Sequence, residues 1–222
     1  MQAPALDLPA SLDNFLTKGT LMGFFNFLRP GKGARARTAT PPRPQLSVEG
    51  LESRVVPYAL SGTAWPHPEM VTISFVPDGT VLGSNANGFI TSNLFSSFTS
   101  KFGSDWAWQS QVLKAAQAWA QQTNINFAVV PDDGADIGAG DFQQGAPTHG
   151  DIRIGGYNFG TATLAQAYVP PPMNNYSIAG DLQFNTGKTW NINNTYDIAT
   201  VALHEIGHSL GLYHSPYSTA AM

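Results

Sequence analysis

The chain has 222 residues, no cysteine, 42% apolar residues and only 12% charged ones, with 22 glycines and 16 prolines. Those values fit one globular domain plus a tail, and they exclude a disulfide framework, a thiol nucleophile and a charge-laced helical bundle. The net charge of −4 is uneven: residues 1–57 carry seven bases and four acids, whereas residues 58–222 carry four bases and eleven acids, so the acidic body lacks the basic stripe that a nucleic-acid partner requires.

The segment 1–57 reads as a leader and linker. Leu21–Leu28 (LMGFFNFL) is too short to span a membrane, follows a single positive charge at Lys18, and is a weak export signal. A short amphipathic leader is the alternative. Pro30–Pro44 interleaves Gly, Pro and Arg and cannot build a core. Leu46–Tyr58 (LSVEGLESRVVPY) resembles a short N-terminal motif of large exported bacterial proteins, which implies sorting to the cell surface or the exterior.

The folded domain is expected over 58–222. Val71–Val76 alternates as a strand. Asp105–Gln122 reads as a helix, with Asp105 as N-cap and an apolar stripe of Trp108, Val112, Ala115 and Trp119. Asn126–Val130, Asp151–Gly155, Thr163–Val169 and Asp181–Phe184 read as further strands. A last helix is expected from about Thr195 to Leu210, with Asp197 in its first turn.

That helix carries HEIGHSLGLYH, His204 to His214, which holds three of the five histidines. His204 and His208 are four apart and project from one helical face. Gly211 permits a left-handed turn that can bring His214 back beside them. Three neutral imidazoles leave an open fourth position, the arrangement of a catalytic zinc rather than a structural one. Glu205 points about 100° away around the helix, able to flank a bound water as general base without ligating. At average residue usage the five fixed positions recur by chance in a chain of this length about once in 100,000, so scattered histidines on an exposed helix are a poor explanation.

HExxHxxGxxH resembles the signature of the metzincin peptidases. Ser215 after the third histidine, and Met222 at the spacing of the turn beneath the metal, resemble the matrixin branch. The resemblance covers most of residues 64–222. It implies an α+β fold with a twisted, mostly parallel sheet, one antiparallel edge strand, a long packing helix and an active-site helix. It further implies a zinc-dependent endopeptidase, one catalytic zinc, an extended polypeptide substrate, and substrate pairing at Ala165, Gln166, Ala167 and Tyr168. Asp151 and Asp181 match the carboxylates of a calcium site, with carbonyls near Ile178 to Gly180 completing its oxygen shell. Gln166 and Gln183 stand where a second, structural zinc has histidines, so no second zinc is expected. His149 reads as a surface-loop histidine. The family's cysteine latency switch has no counterpart. The family pattern continues past the third histidine to a pocket wall and a final helix that do not follow here, so an incomplete domain is expected. The alternatives are an inactive zinc-binding remnant or a surface module of a longer exported protein. Oligomeric state is not readable.

Overall fold

The computed structural model describes residues 59–215. The leader 1–57 and the motif ending at Tyr58 lie outside the described residues, as does Met222.

Five strands form the central sheet: β2 (Val71–Phe75), β5 (Phe127–Val129), β6 (Ile152–Tyr157), β7 (Ala165–Ala167) and β8 (Leu182–Asn185). Their order is β5-β2-β6-β8-β7. The first four run parallel, and β7 closes the edge antiparallel to β8, with Gln166 opposite Gln183. The α+β fold with a mixed sheet and an antiparallel edge thus follows the sequence expectation. Central β6 is buried on both faces because parallel strands are covered from both sides.

One face of the sheet is packed by α1 (Leu94–Phe102), α2 (Asp105–Ala120) and α3 (Ile198–Ser209). In α2 the buried stripe is Trp108, Val112, Ala115 and Ala116. The ring of Trp108 meets Phe75, Phe95 and Phe98 edge-on at centroid distances of 5.3–5.6 Å. Ser104, not Asp105, is the N-cap, its side chain accepting from the Ala107 N–H; Asp105 is the first helical residue and serves the positive end of the dipole.

Helix α3 is shorter at its start than expected. Asp197 caps it from outside, accepting at 2.8 Å from both the N–H and the hydroxyl of Thr200. Ile198, Ala202 and Ile206 bury one face at i, i+4, i+8, and Trp119 of α2 donates its indole N–H to the Leu203 carbonyl at 2.8 Å.

Three elements had no counterpart in the sequence reading. These are α1, the hairpin β3 (Val81–Asn85) with β4 (Gly88–Thr91), and a two-residue ribbon in which β1 (Ala59–Leu60) pairs antiparallel with β9 (Leu212–Tyr213). The ribbon ties the first described residues to the chain leaving α3.

Candidate active site

Helix α3 presents His204 and His208 one turn apart, and Gly211 then reverses the chain at φ +93°. A side chain is strained at that φ, and a Cβ there would collide with the Thr63 carbonyl. The reversal returns His214 to the helix face. Its Nε2 lies 3.1 Å from Nε2 of His204 and 3.1 Å from Nε2 of His208. The three ring centroids are 4.8–5.0 Å apart. Nitrogens placed tetrahedrally about zinc at ~2.05 Å would stand ~3.3 Å apart, so the spacing suits one shared cation. Among the described residues this is the one group of three or more metal-ligating side chains drawn together.

The tautomer at His208 is set by its surroundings. Its Nδ1 lies 2.8 Å from the Leu212 carbonyl, so Nδ1 carries the proton and Nε2 keeps its lone pair toward the cluster. Burial holds the His208 pKa below its ordinary value, against the pull of the Leu212 carbonyl and with the help of the other two imidazoles. A neutral ring is the form that ligates a metal.

Glu205 is buried beside the cluster. Burial pushes its carboxyl up to about 7, while His204 pulls in the opposite direction. A carboxyl that titrates near neutrality can both accept and release a proton there.

The cleft runs along β7. On one side of the histidines is a mainly apolar cavity of about 410 Å³, lined by Leu164, Ala165, Thr200, Val201, His204 and Glu205. On the other lies an open depression bordered by Ala167, Val169, His208, Tyr213 and His214. Backbone direction along β7 corrects part of the substrate-pairing expectation. The Asn185 N–H donates to the Leu164 carbonyl, the Tyr168 N–H to Asp181, and the Gly180 N–H to Tyr168. Even-numbered residues therefore direct their peptide groups inward to β8, and alternation turns those of Ala165 and Ala167 outward. Gln166 and Tyr168 have no free ladder groups to offer a peptide.

The remaining candidates lie away from the histidines. Gln166 Nε2 donates to Gln183 Oε1 at 2.8 Å, so these two side chains satisfy each other. His149 sits 3.6 Å from Asp133 and outside the cluster. The Asp151 carboxylate is committed: Oδ2 accepts from the Thr72 N–H and hydroxyl at 2.7 and 2.8 Å, and Oδ1 from the Gly145 N–H at 2.6 Å. Asp181 is different. It is fully buried, Oδ1 accepts from the Arg153 N–H at 2.8 Å, and Oδ2 has no hydrogen-bond partner. Burial raises its pKa well above the usual carboxylate range, against the Arg153 contacts.

The sequence reading did not include the Leu212 carbonyl that orients His208, nor the cavity wall from Thr200 and Val201. The first is a backbone group after a glycine turn, and the second lies on a helix face readable only as apolar.

A family model described as Matrixin, of a peptidase family, matches residues 91–222. The chain is 39% identical to karilysin of Tannerella forsythia over 119 residues, covering 51% of this chain and 23% of that protein. It is 36% identical to stromelysin-1 of Mus musculus over 114 residues, covering 51% of this chain and 22% of that protein. With the hatching enzyme of Paracentrotus lividus it shares 29% identity over 180 residues, 76% of this chain and 24% of that protein. The chain thus spans about a quarter of the length of the curated relatives it matches.

Proposed function

The chain belongs to the matrixin family, and from that premise we propose that it is a zinc-dependent endopeptidase, with His204, His208 and His214 holding the metal and Glu205 as general base. The observation that carries this reading is the approach of Nε2 of His214 to 3.1 Å from the corresponding atoms of both helix histidines. Zinc held there supplies Lewis acidity, polarising a peptide carbonyl and acidifying a water.

The chain's own groups supply the rest. The outward peptide groups of Ala165 and Ala167 pair with an extended substrate as an added strand, laying one peptide bond across the histidines. The cavity beside Leu164 and Val201 accepts an apolar side chain of that substrate. Glu205 takes the proton from the attacking water and delivers it to the departing amine nitrogen, a role suited to a carboxyl held near neutrality by burial.

The test is hydrolysis of casein by the purified chain, with and without chelator, beside Glu205→Gln. Loss of the base should lower kcat by about 10²–10⁴ while zinc content stays at one per chain. Equal hydrolysis by Glu205→Gln would sink the proposal, and a chain that holds zinc without hydrolysing anything would point to an inactive remnant.

We also read Asp181 as the side-chain ligand of a calcium ion, completed by backbone carbonyls. The support is its buried, unpartnered Oδ2. The Asp151 carboxylate already accepts from Thr72 and Gly145, so Asp181 is the ligand the test addresses. Millimolar calcium should raise the melting temperature of the wild-type chain but not of Asp181→Asn. No rise in the wild type would remove the ion from the reading.

The leader motif supports action at the cell surface or outside it. Among the described residues no helix is long and apolar enough to cross a membrane.

A further inference from the structure

The turn that returns His214 to the helix is gripped by residues far away in sequence, in a stretch that precedes the part matched by the family model. Ser61 donates twice to the Gly211 carbonyl, from its N–H at 2.9 Å and from its hydroxyl at 2.6 Å. Thr63 supports that hydroxyl: its N–H donates to Ser61 Oγ at 3.2 Å, and the two hydroxyls lie 2.5 Å apart. The Thr63 carbonyl fills the space that any side chain at position 211 would need. Trp65 is buried and donates its indole N–H to the Ser209 carbonyl at 2.9 Å, at the end of α3. The ribbon then pairs Ala59 with Tyr213 and Leu60 with Leu212, up to the residue before His214. The strap is itself anchored, the Ala64 N–H donating to the Pro171 carbonyl at 3.1 Å.

We propose that this strap, residues 59–65, is the positioning element of the metal centre, with Ser61 and Trp65 acting through the Gly211 turn to hold His214 against His204 and His208. The proposal rests on the zinc reading above. His204 and His208 share one helix, and α3 fixes their separation. His214 has no such frame: it is exposed, and the chain that carries it leaves the helix through a glycine. Both sides of the turn carry carbonyls that need donors, Ser209 before it and Gly211 after it. The strap supplies those donors and thereby limits the positions the third ligand can take. Groups that orient ligands from behind typically change metal affinity by 10- to 100-fold when removed.

The test compares zinc dissociation into excess chelator for the wild-type chain, Ser61→Ala, Ser61→Thr, Trp65→Phe and Trp190→Phe. Trp190 is the control for general destabilisation. Its buried indole N–H donates to the Asn185 carbonyl at 2.8 Å, the same kind of bond away from the turn. Ser61→Ala and Trp65→Phe should each release zinc about 10-fold faster than the wild type. Ser61→Thr, which keeps the hydroxyl, should restore wild-type release, and Trp190→Phe should lower the melting temperature without hastening release. Any residual hydrolysis by the strap variants should fall in kcat with KM unchanged. Zinc held equally by wild type, Ser61→Ala and Trp65→Phe overturns the positioning role alone, and so does equally fast loss from Trp190→Phe. A wild-type chain that holds no zinc overturns the peptidase reading and this proposal with it.

Discussion

Arg153 and Asp132 form a buried ion pair that shows how far a single residue's environment can depart from its local pattern. The guanidinium donates to both Asp132 oxygens at 2.9 and 2.7 Å, and the two side chains are 2% and 1% exposed. Burial pushes the Asp132 pKa up. The hydrogen bonds from Arg153, Ser74 and the Gly134 N–H, with the Arg153 charge, outweigh it and leave the pKa below the ordinary value. A depressed carboxylate adds stability above its unfolded pKa of ~3.9 and loses it as pH falls through the folded value. Asp132→Asn removes the bidentate partner of the buried Arg153 and leaves it only the longer contact with Asp133 at 4.0 Å, and should cost up to about 3–5 kcal/mol at pH 7 by urea unfolding. The gap to wild type should shrink below about pH 4. A gap constant with pH, or none at pH 7, would mean that the pair is not a stabilising contact. Nothing in the sequence marked this pair, because Arg153 lies in an apparently ordinary strand and its partner is 21 residues away. The histidine pattern was legible for the opposite reason: two of its members lie on one helix, where a spacing of four fixes a shared face.

At the scale of elements, legibility follows length and burial pattern. Helix α2 has sixteen residues and a continuous apolar stripe; its cap was misplaced by one residue and its end by two, and Trp119 is only partly buried, with Ala116 buried in the stripe. Helix α1 has nine residues rich in Ser and Thr, with just Leu94 and Phe98 buried, so no stripe stands out. The β3–β4 hairpin is interrupted by a register shift between Val81 and Gly83, which removes the alternation that identifies a strand. Edge strand β7 was legible as a strand, but which of its peptide groups face outward depends on pairing with β8, a tertiary fact. Ala167→Pro deletes one outward N–H while leaving the inward ladder intact, a change tolerated on an edge. We expect KM for an extended peptide to rise about 10-fold, since losing a backbone pairing costs roughly 1–1.5 kcal/mol, with zinc content unchanged. An unaltered KM would show that substrate does not add to this edge.

For the molecule as a whole, α2, the β7–β8 side of the sheet and the strap all pack against α3. The sheet ends in the antiparallel edge strand β7, α3 supplies two imidazoles and a buried carboxyl, and the chain beyond Gly211 supplies the third imidazole. The α+β class was legible because strand and helix periodicities alternate clearly through 71–210. The β1–β9 ribbon was not, since it joins two-residue segments more than 150 positions apart. All of the chemistry proposed for this chain needs one cation at the meeting point of those parts. Anomalous diffraction at the zinc edge, from crystals of the zinc-loaded chain, measures that directly. One strong peak is expected at ~2.0–2.1 Å from Nε2 of His204, His208 and His214. No peak there, or zinc held only by other side chains, would contradict the zinc reading.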